Sequence, residues 1–577
     1  MVIWNLDNLY KEEEKQGKID NHRKLVEEFV VCKKELNENI SPQRFIELLK
    51  KYEQLIVDAT IFGARVGLKA VEDTTNSEYR KDEQEIDSLL TEEGNKLIFF
   101  MHFFKELSDN KANEIIDQAG EYTYFLTRAR RARPHMRTES EEQIINLKDL
   151  SGEASLIAVR NIVVGKLRFP FRGKELLDPE ITAKRISEDP EERKESYQSS
   201  LSVFKKQEDI LGEIYKGICL DWYNESTEIR KYSSSIGARN FSNTISDEVV
   251  DLMLEVVKEN ADLFQEYFKL KSEIIAYENS RYHIYAPYVL KDKKEYGYEF
   301  CKEKTLEVYK NFSEESYELA KNIFDANHVH SDVVPNKRIG AFCYTYKKDE
   351  IPYIMLNHMD RLDDFQTMAH EIGHGIHGQL SKDKIELTFH ASIGLAEVAS
   401  IFGELLLTDH LLNEASAEEK KYLLFHNMDR YYATIMRQAY FALFEIKAHD
   451  QIKKGTTIEE LHNTFHELHK QQFGPDMELP DEFAHEWLLM PHIFNSPFYV
   501  YGYAFANLIV LALFNMYKKE GKESFVPKYM DILRAGGDAD VVDIMANAGF
   551  DITKREFWEG AFEEVKKDLE ELKALVK

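Results

Sequence analysis

Cysteine is scarce in this chain of 577 residues. Its four cysteines, Cys32, Cys219, Cys301 and Cys343, are far apart, and none forms a Cys-x-x-Cys pair. They read as free thiols in a reducing compartment and not as a disulfide framework. Glycine and proline are also few, at 26 and 13, so no collagen-like or disordered bias is present. Positive charge is in deficit: 75 Lys and Arg face 103 Asp and Glu, a net charge of -28. A surface that negative repels phosphate backbones and anionic lipid, which argues against nucleic-acid and membrane-surface binding. The N-terminal MVIWNLDNLYKEEEK lacks the basic-then-apolar order of a secretion signal, so a cytoplasmic location is expected. Charge of either sign is missing from Trp487 to Tyr517, and residues 498–517 are mostly apolar. Pro497, Gly502, Asn507 and a cluster of tyrosines, with no basic flank ahead of them, favour a buried helix lining a cleft over a membrane span.

What is present is mostly amphipathic helix. The length suggests two or three packed units. Apolar residues recur at three- and four-residue spacing over 43–72, 247–278, 302–326 and 415–454, with Lys and Glu between them. Loop chemistry marks 74–79, 188–195 and 473–482. The basic run RARRAR at 128–133 reads as a solvated helix face countering nearby glutamates. The clearest departure from helix is 339–357, where IGAFCYTY and IPYIMLN flank KKDE and predict a hairpin.

Thirteen residues beyond that hairpin stands His370, within AHEIGHGIHG, residues 369–378. His370-Glu371-Ile372-Gly373-His374 fits H-E-x-x-H. Residues four apart on a helix lie one above the other, ~6 Å along the axis, so two imidazoles can converge on one ion. The glutamate lies part-way round the helix, where it can touch a metal-bound water instead of the metal. His377 is seven residues from His370, ~10.5 Å along the axis, whereas zinc–nitrogen bonds are ~2 Å. It therefore reads as a cleft residue and not a ligand. A third ligand must come from elsewhere. The apolar helix expected over GLAEVASIFGELLL, 394–407, carries Glu397 and Glu404 seven apart on one face. A carboxylate on a buried helix is costly unless paired or bound to a cation. One of the two is read as a metal ligand, the other as a hydrogen-bond partner fixing the tautomer of a ligand histidine.

TMAHEIGHGIHGQLS, LAEVASIFGE, KRIGAFCYTY and PHIFNSPFYVYGYAF together resemble the oligoendopeptidase F branch of the thimet-oligopeptidase family of zinc metallopeptidases. EEQIINLKDLSGEAS and YMDILRAGGDADVVDIMANAGFDITKREFW extend the resemblance over most of the chain. It implies a mainly α fold: a two-lobed helical zincin, neurolysin/thimet-like, with a deep substrate channel and a small β-sheet beside the zinc helix. It implies an N-terminal helical region at 1–110, an oligopeptidase F-type domain at 111–190 and a catalytic domain at 191–577. It also implies one Zn2+ per chain, held by His370, His374 and Glu397, with Glu371 as general base and Glu404 behind a zinc histidine. His492 and Tyr503 align with residues contacting the substrate and the oxyanion, and Tyr499 and Tyr501 belong to the same cluster. Val500 stands where the thimet branch has tyrosine.

The expected function is hydrolysis of internal bonds in short unstructured oligopeptides. Strand 352–357, with Tyr353, is read as an edge to which an extended peptide adds, and Gly340 beside it as room for close backbone approach. The substrate-binding set is thus Gly340, Tyr353, His377, Tyr499 and Tyr501. The alternatives are a zinc carboxypeptidase or dipeptidase of the same fold and a noncatalytic peptide-binding protein.

Overall fold

The computed structural model describes residues 4–275, 277–290 and 294–577. Among the described residues, which are mostly helical, there are five short strands: β1 (Phe169–Phe171), β2 (Lys174–Leu176), β3 (Val329–His330), β4 (Phe342–Tyr344) and β5 (Tyr353–Met355). The chain divides into two compact units. The first comprises Met1–Pro134, Lys294–His410 and Glu520–Gly549; the second, His135–Lys293, Leu411–Lys519 and Phe550–Lys577.

In the first unit, Ser41 caps the helix Pro42–Glu72 by accepting the Arg44 N–H, and Pro42 occupies its first turn. Asn76 caps the next helix, Ser77–Glu106. The two helices pack through Phe45, stacked on Phe100 and tilted against Phe104 at centroid distances of 5.0 and 5.1 Å. The expected hairpin is present: β4 pairs antiparallel with β5, Cys343 opposite Ile354. A third strand was not foreseen. β3 adds in parallel to the other side of β5, giving the order β3-β5-β4. The basic run ends the helix Thr123–Arg131. Its partners are aspartates and carbonyls, not the glutamates expected. Arg130 donates to the Lys105 and Leu107 carbonyls at 2.6 and 2.9 Å, and Arg131 donates to Asp540 at 3.0 Å.

In the second unit, two long helices foreseen as continuous are interrupted. The span 247–278 becomes Asp247–Glu259 and Ala261–Ile275, because the Asn260 side chain donates to the Val256 carbonyl and closes the first helix. Ala276, within that span, lies outside the described residues. The span 415–454 runs as Ala417–Tyr431 and Arg437–Lys454 with a π-helical turn, Tyr432–Met436, between them. The first unit has a similar break: 302–326 forms Tyr298–Phe312 and Glu314–Asp325, with Ser313 extended and capping the second. The hairpin β1–β2 was also not foreseen. Arg172 and Gly173 at its tip have φ of 46° and 79°, the left-handed pair that a two-residue hairpin loop needs. The later part of the uncharged stretch lies in the helix Tyr501–Glu520, with Leu508 to Phe514 buried. No helix among the described residues is long and apolar enough to cross a membrane.

Candidate active site and metal centre

The helix Leu362–Leu380 carries His370, Glu371, His374 and His377. Glu397 does not lie within a helix as expected. It sits at the junction between a short turn of helix, Ile393–Ala396, and the helix Val398–Glu414, which carries Glu404. Two glycines bring these helices together. A Cβ on Gly373 would collide with the Ala399 carbonyl oxygen and stand 2.7 Å from Ser400 Cα; one on Gly403 would collide with the Tyr309 hydroxyl and stand 2.9 Å from the Ala369 carbonyl oxygen. Bare backbone at both positions lets one helix lie against the other.

At this crossing three ligand-type atoms converge. His370 Nε2 and His374 Nε2 are 3.2 Å apart, and each is 3.3 Å from Glu397 Oε2. Three such atoms can share one tetrahedral cation and leave a fourth position open. Their surroundings favour that reading. His370 Nδ1 is 2.5 Å from Glu404 Oε1, so its proton is held on the far side of the ring and Nε2 is free to bind. Ser400 Oγ donates to Glu397 Oε2 at 2.7 Å. Burial works against an ionised Glu397, but the hydrogen bond from His374 and the imidazole charges outweigh it and hold the carboxyl at about 2.

Glu371 is buried, and its Oε2 has no hydrogen-bond partner. Burial raises its pKa above the usual carboxylate range, with His370 and His374 pulling the other way. A raised carboxylate beside a candidate cation site suits proton uptake from water and its later return. Glu371 lines a cavity of about 490 Å3 with His370, His374, Glu397 and residues 341–345. His377 lines it too, with Nε2 unpartnered and burial lowering its pKa to about 3; it is a neutral ring in the wall of the cleft.

The strand reading needs correction. β5 lies in the middle of its sheet, so both its edges are used. Tyr353 is fully buried, its ring stacked on His328 and its hydroxyl donating to the Asn5 carbonyl at 2.8 Å. It belongs to the core and not to a peptide-binding surface. The strand facing the cavity is β4. Gly340 just before it has φ of 88°, and its carbonyl accepts from Asn357 at 2.8 Å. Sequence reasoning missed His390, Phe389 and Cys343 as cavity walls. No spacing rule points to the first two, which lie in an irregular segment. Cys343 could have been found from alternation along β4.

The tyrosine cluster lies in the second unit. His492 and Tyr503 rings meet edge to face at 6.0 Å, and Tyr499 and Tyr503 at 5.4 Å. Tyr503 is 37% exposed. Burial and the Arg437 charge lower the pKa of His492. Tyr501 departs from the expected substrate-binding set: it is fully buried, and its hydroxyl accepts from Asn243 at 2.8 Å. The loop before it is clamped. Phe498 has φ of 58°, its N–H donates to the buried Glu445 at 2.7 Å, and Arg239 donates to the Pro497 carbonyl at 3.0 Å.

Residues 185–564 match peptidase family M3, and residues 104–169 match the family described as Oligopeptidase F. The chain belongs to peptidase family M3. That membership makes it a metalloendopeptidase. Its similarity extends to the Bacillus subtilis protein named Oligopeptidase PepF, 28% identical over 88% of this chain and 78% of that one. An oligoendopeptidase F homolog of Borreliella burgdorferi is also 28% identical, over 99% and 98% of the two chains. Among solved structures, the fold is shared with a chain from Chlamydophila abortus at a TM-score of 0.91, with 23% identity over 99% of this chain and 98% of that one. It is also shared with oligoendopeptidase-F from Enterococcus faecium at a TM-score of 0.71, with 22% identity over 99% of both. The expected family and mainly helical fold thus hold.

Proposed function

We propose that this M3 peptidase is a zinc-dependent endopeptidase that cleaves internal bonds of short unstructured oligopeptides. The observation that carries the reading is the triangle of His370 Nε2, His374 Nε2 and Glu397 Oε2 with Glu371 beside it in one cavity. These three residues would hold the zinc. When bound, the metal supplies Lewis-acid chemistry, acidifying a water and polarising the scissile carbonyl. Glu404 keeps the His370 proton on Nδ1, so Nε2 faces the triangle. Glu371 takes the proton of the attacking water at its free Oε2 and returns it to the departing amine nitrogen. His492 and Tyr503 are hydrogen-bond donors to the substrate and the developing oxyanion, with Tyr499 supporting them. An extended peptide aligns through its main chain on β4, which suits a peptidase tolerant of side chains.

The test is cleavage of an end-blocked, internally quenched peptide by wild type, by Glu371→Gln and by chelated enzyme before and after zinc return. Internal cleavage by wild type is expected. Glu371→Gln should lower kcat by about 100-fold or more, and chelation should abolish activity until zinc is restored. Cleavage only of peptides with a free terminus would replace this reading with an exopeptidase. Full activity in Glu371→Gln would remove the assigned base.

A further inference from the structure

A second group of ligand-type side chains lies in the other unit, outside the chemistry described above. Glu208 opens the helix Glu208–Tyr223, His462 lies in the helix Ile458–Phe473, and His485 lies in the 3-10 segment Asp481–Leu489. Glu208 Oε2 is 3.1 Å from His462 Nε2 and 3.1 Å from His485 Nε2, and all three atoms lie within 4.8 Å of one another. Its two carboxylate–imidazole distances are close to the 3.3 Å from Glu397 Oε2 to His370 Nε2 and to His374 Nε2. Both histidines are buried, at 3% and 8% exposure.

Proton placement decides what this group can be. His485 Nδ1 lies 3.1 Å from the Glu482 carbonyl, an acceptor only, so Nδ1 carries a proton and donates it there. A neutral His485 then presents the Nε2 lone pair to a carboxylate oxygen at hydrogen-bonding distance. Two lone pairs at that separation need a cation between them, either a proton or a metal ion. A backbone carbonyl holding Nδ1–H is also the usual support of a metal-binding histidine. A route for water exists: the Glu208 side chain is 30% exposed, and His485 borders a cavity of about 690 Å3 that also meets Arg172, Glu195 and Glu482.

We propose that Glu208, His462 and His485 form a second divalent-cation site of the zinc type, with water as fourth ligand, which staples three separate segments of this unit. The role is structural and independent of hydrolysis. His462 makes the site the weaker of the two. The Trp487 indole N–H donates to His462 Nδ1 at 3.0 Å, so the metal-free ring carries its proton on Nε2. Metal binding moves that proton to Nδ1, where the Ala484 carbonyl at 3.3 Å accepts it, and Trp487 loses its acceptor. Trp487 is therefore a built-in reporter.

The test is zinc titration of chelator-stripped full-length protein, counting bound metal and following the indole N–H resonances, with Trp487→Phe identifying one of them. Wild type should bind two equivalents, the second shifting the Trp487 signal. Glu208→Gln and His485→Ala should each lose the second equivalent and that shift while keeping the first. His374→Ala should keep the shift. Unchanged circular dichroism of the metal-free variants excludes misfolding as the cause. Wild type that stops at one equivalent up to about 100 µM free zinc would show a proton in that position and overturn the proposal. Undiminished second binding in Glu208→Gln and His485→Ala would overturn it as well.

Discussion

At Gly373 an added methyl group would run into the backbone of Ala399 and Ser400. Neither contact is a flexible side-chain end, so the helices themselves must part. Gly373→Ala should cost about 1–3 kcal/mol by overpacking. It should also weaken metal retention, since it displaces Glu397 relative to His370 and His374. Thermal melts and metal content after gel filtration check both effects. Both histidines and Glu371 were legible in the sequence because helical geometry ties four-residue spacing to a common face. Tyr353 and Tyr501 were misread because an aromatic hydroxyl in sequence gives no sign of its partner. Asn5 and Asn243 lie 348 and 258 residues away from them.

Helices and strands were read where periodicity is strong, and lost where one side chain overrides it. Asn260 and Ser313 end helices by satisfying backbone groups that the apolar pattern cannot register. β3 is too short, at two residues, to show alternation, yet it turns β5 from an edge into a centre. Tertiary contact also sets the pH response of one helix. Asp568 of the helix Arg555–Val576 is buried and accepts from Asn427 and Tyr431 of the helix Ala417–Tyr431 at 3.3 and 3.2 Å. Burial, then the Glu564 charge, pushes its carboxyl up to about 7. The unfolded chain releases this proton near pH ~4, whereas the folded protein keeps it to about 7. Its contribution is full below pH ~4 and is lost as pH rises through about 7. Asp568→Asn should flatten that decline and be more stable than wild type at pH ~8, by more than about 1 kcal/mol. Urea unfolding across the range measures it.

For the whole molecule, the dominant quantity is the net charge of -28. It draws cationic peptides and repels anionic ones over about a Debye length, ~10 Å at 0.1 M salt. For a lysine-bearing substrate, kcat/KM should fall several-fold as ionic strength rises from ~0.02 to ~0.2 M, while an aspartate-bearing analogue should gain. Equal salt responses of the two peptides would show that local charges at the cleft outweigh the overall field. Composition discloses this field directly. It does not disclose the joining of Glu208, His462 and His485, which lie on three segments with no motif spacing.

The crossing of Leu362–Leu380 with Val398–Glu414 also bears on engineering. An H-E-x-x-H helix transplanted alone would carry two imidazoles and a base, but neither the carboxylate that completes the triangle nor the one that orients His370. The smallest portable form of this centre is the helix pair with its two interlocking glycines and the junction residue Glu397 that leads into the second helix, so a grafted site should be designed from the backbone contact outward, with the histidines added last.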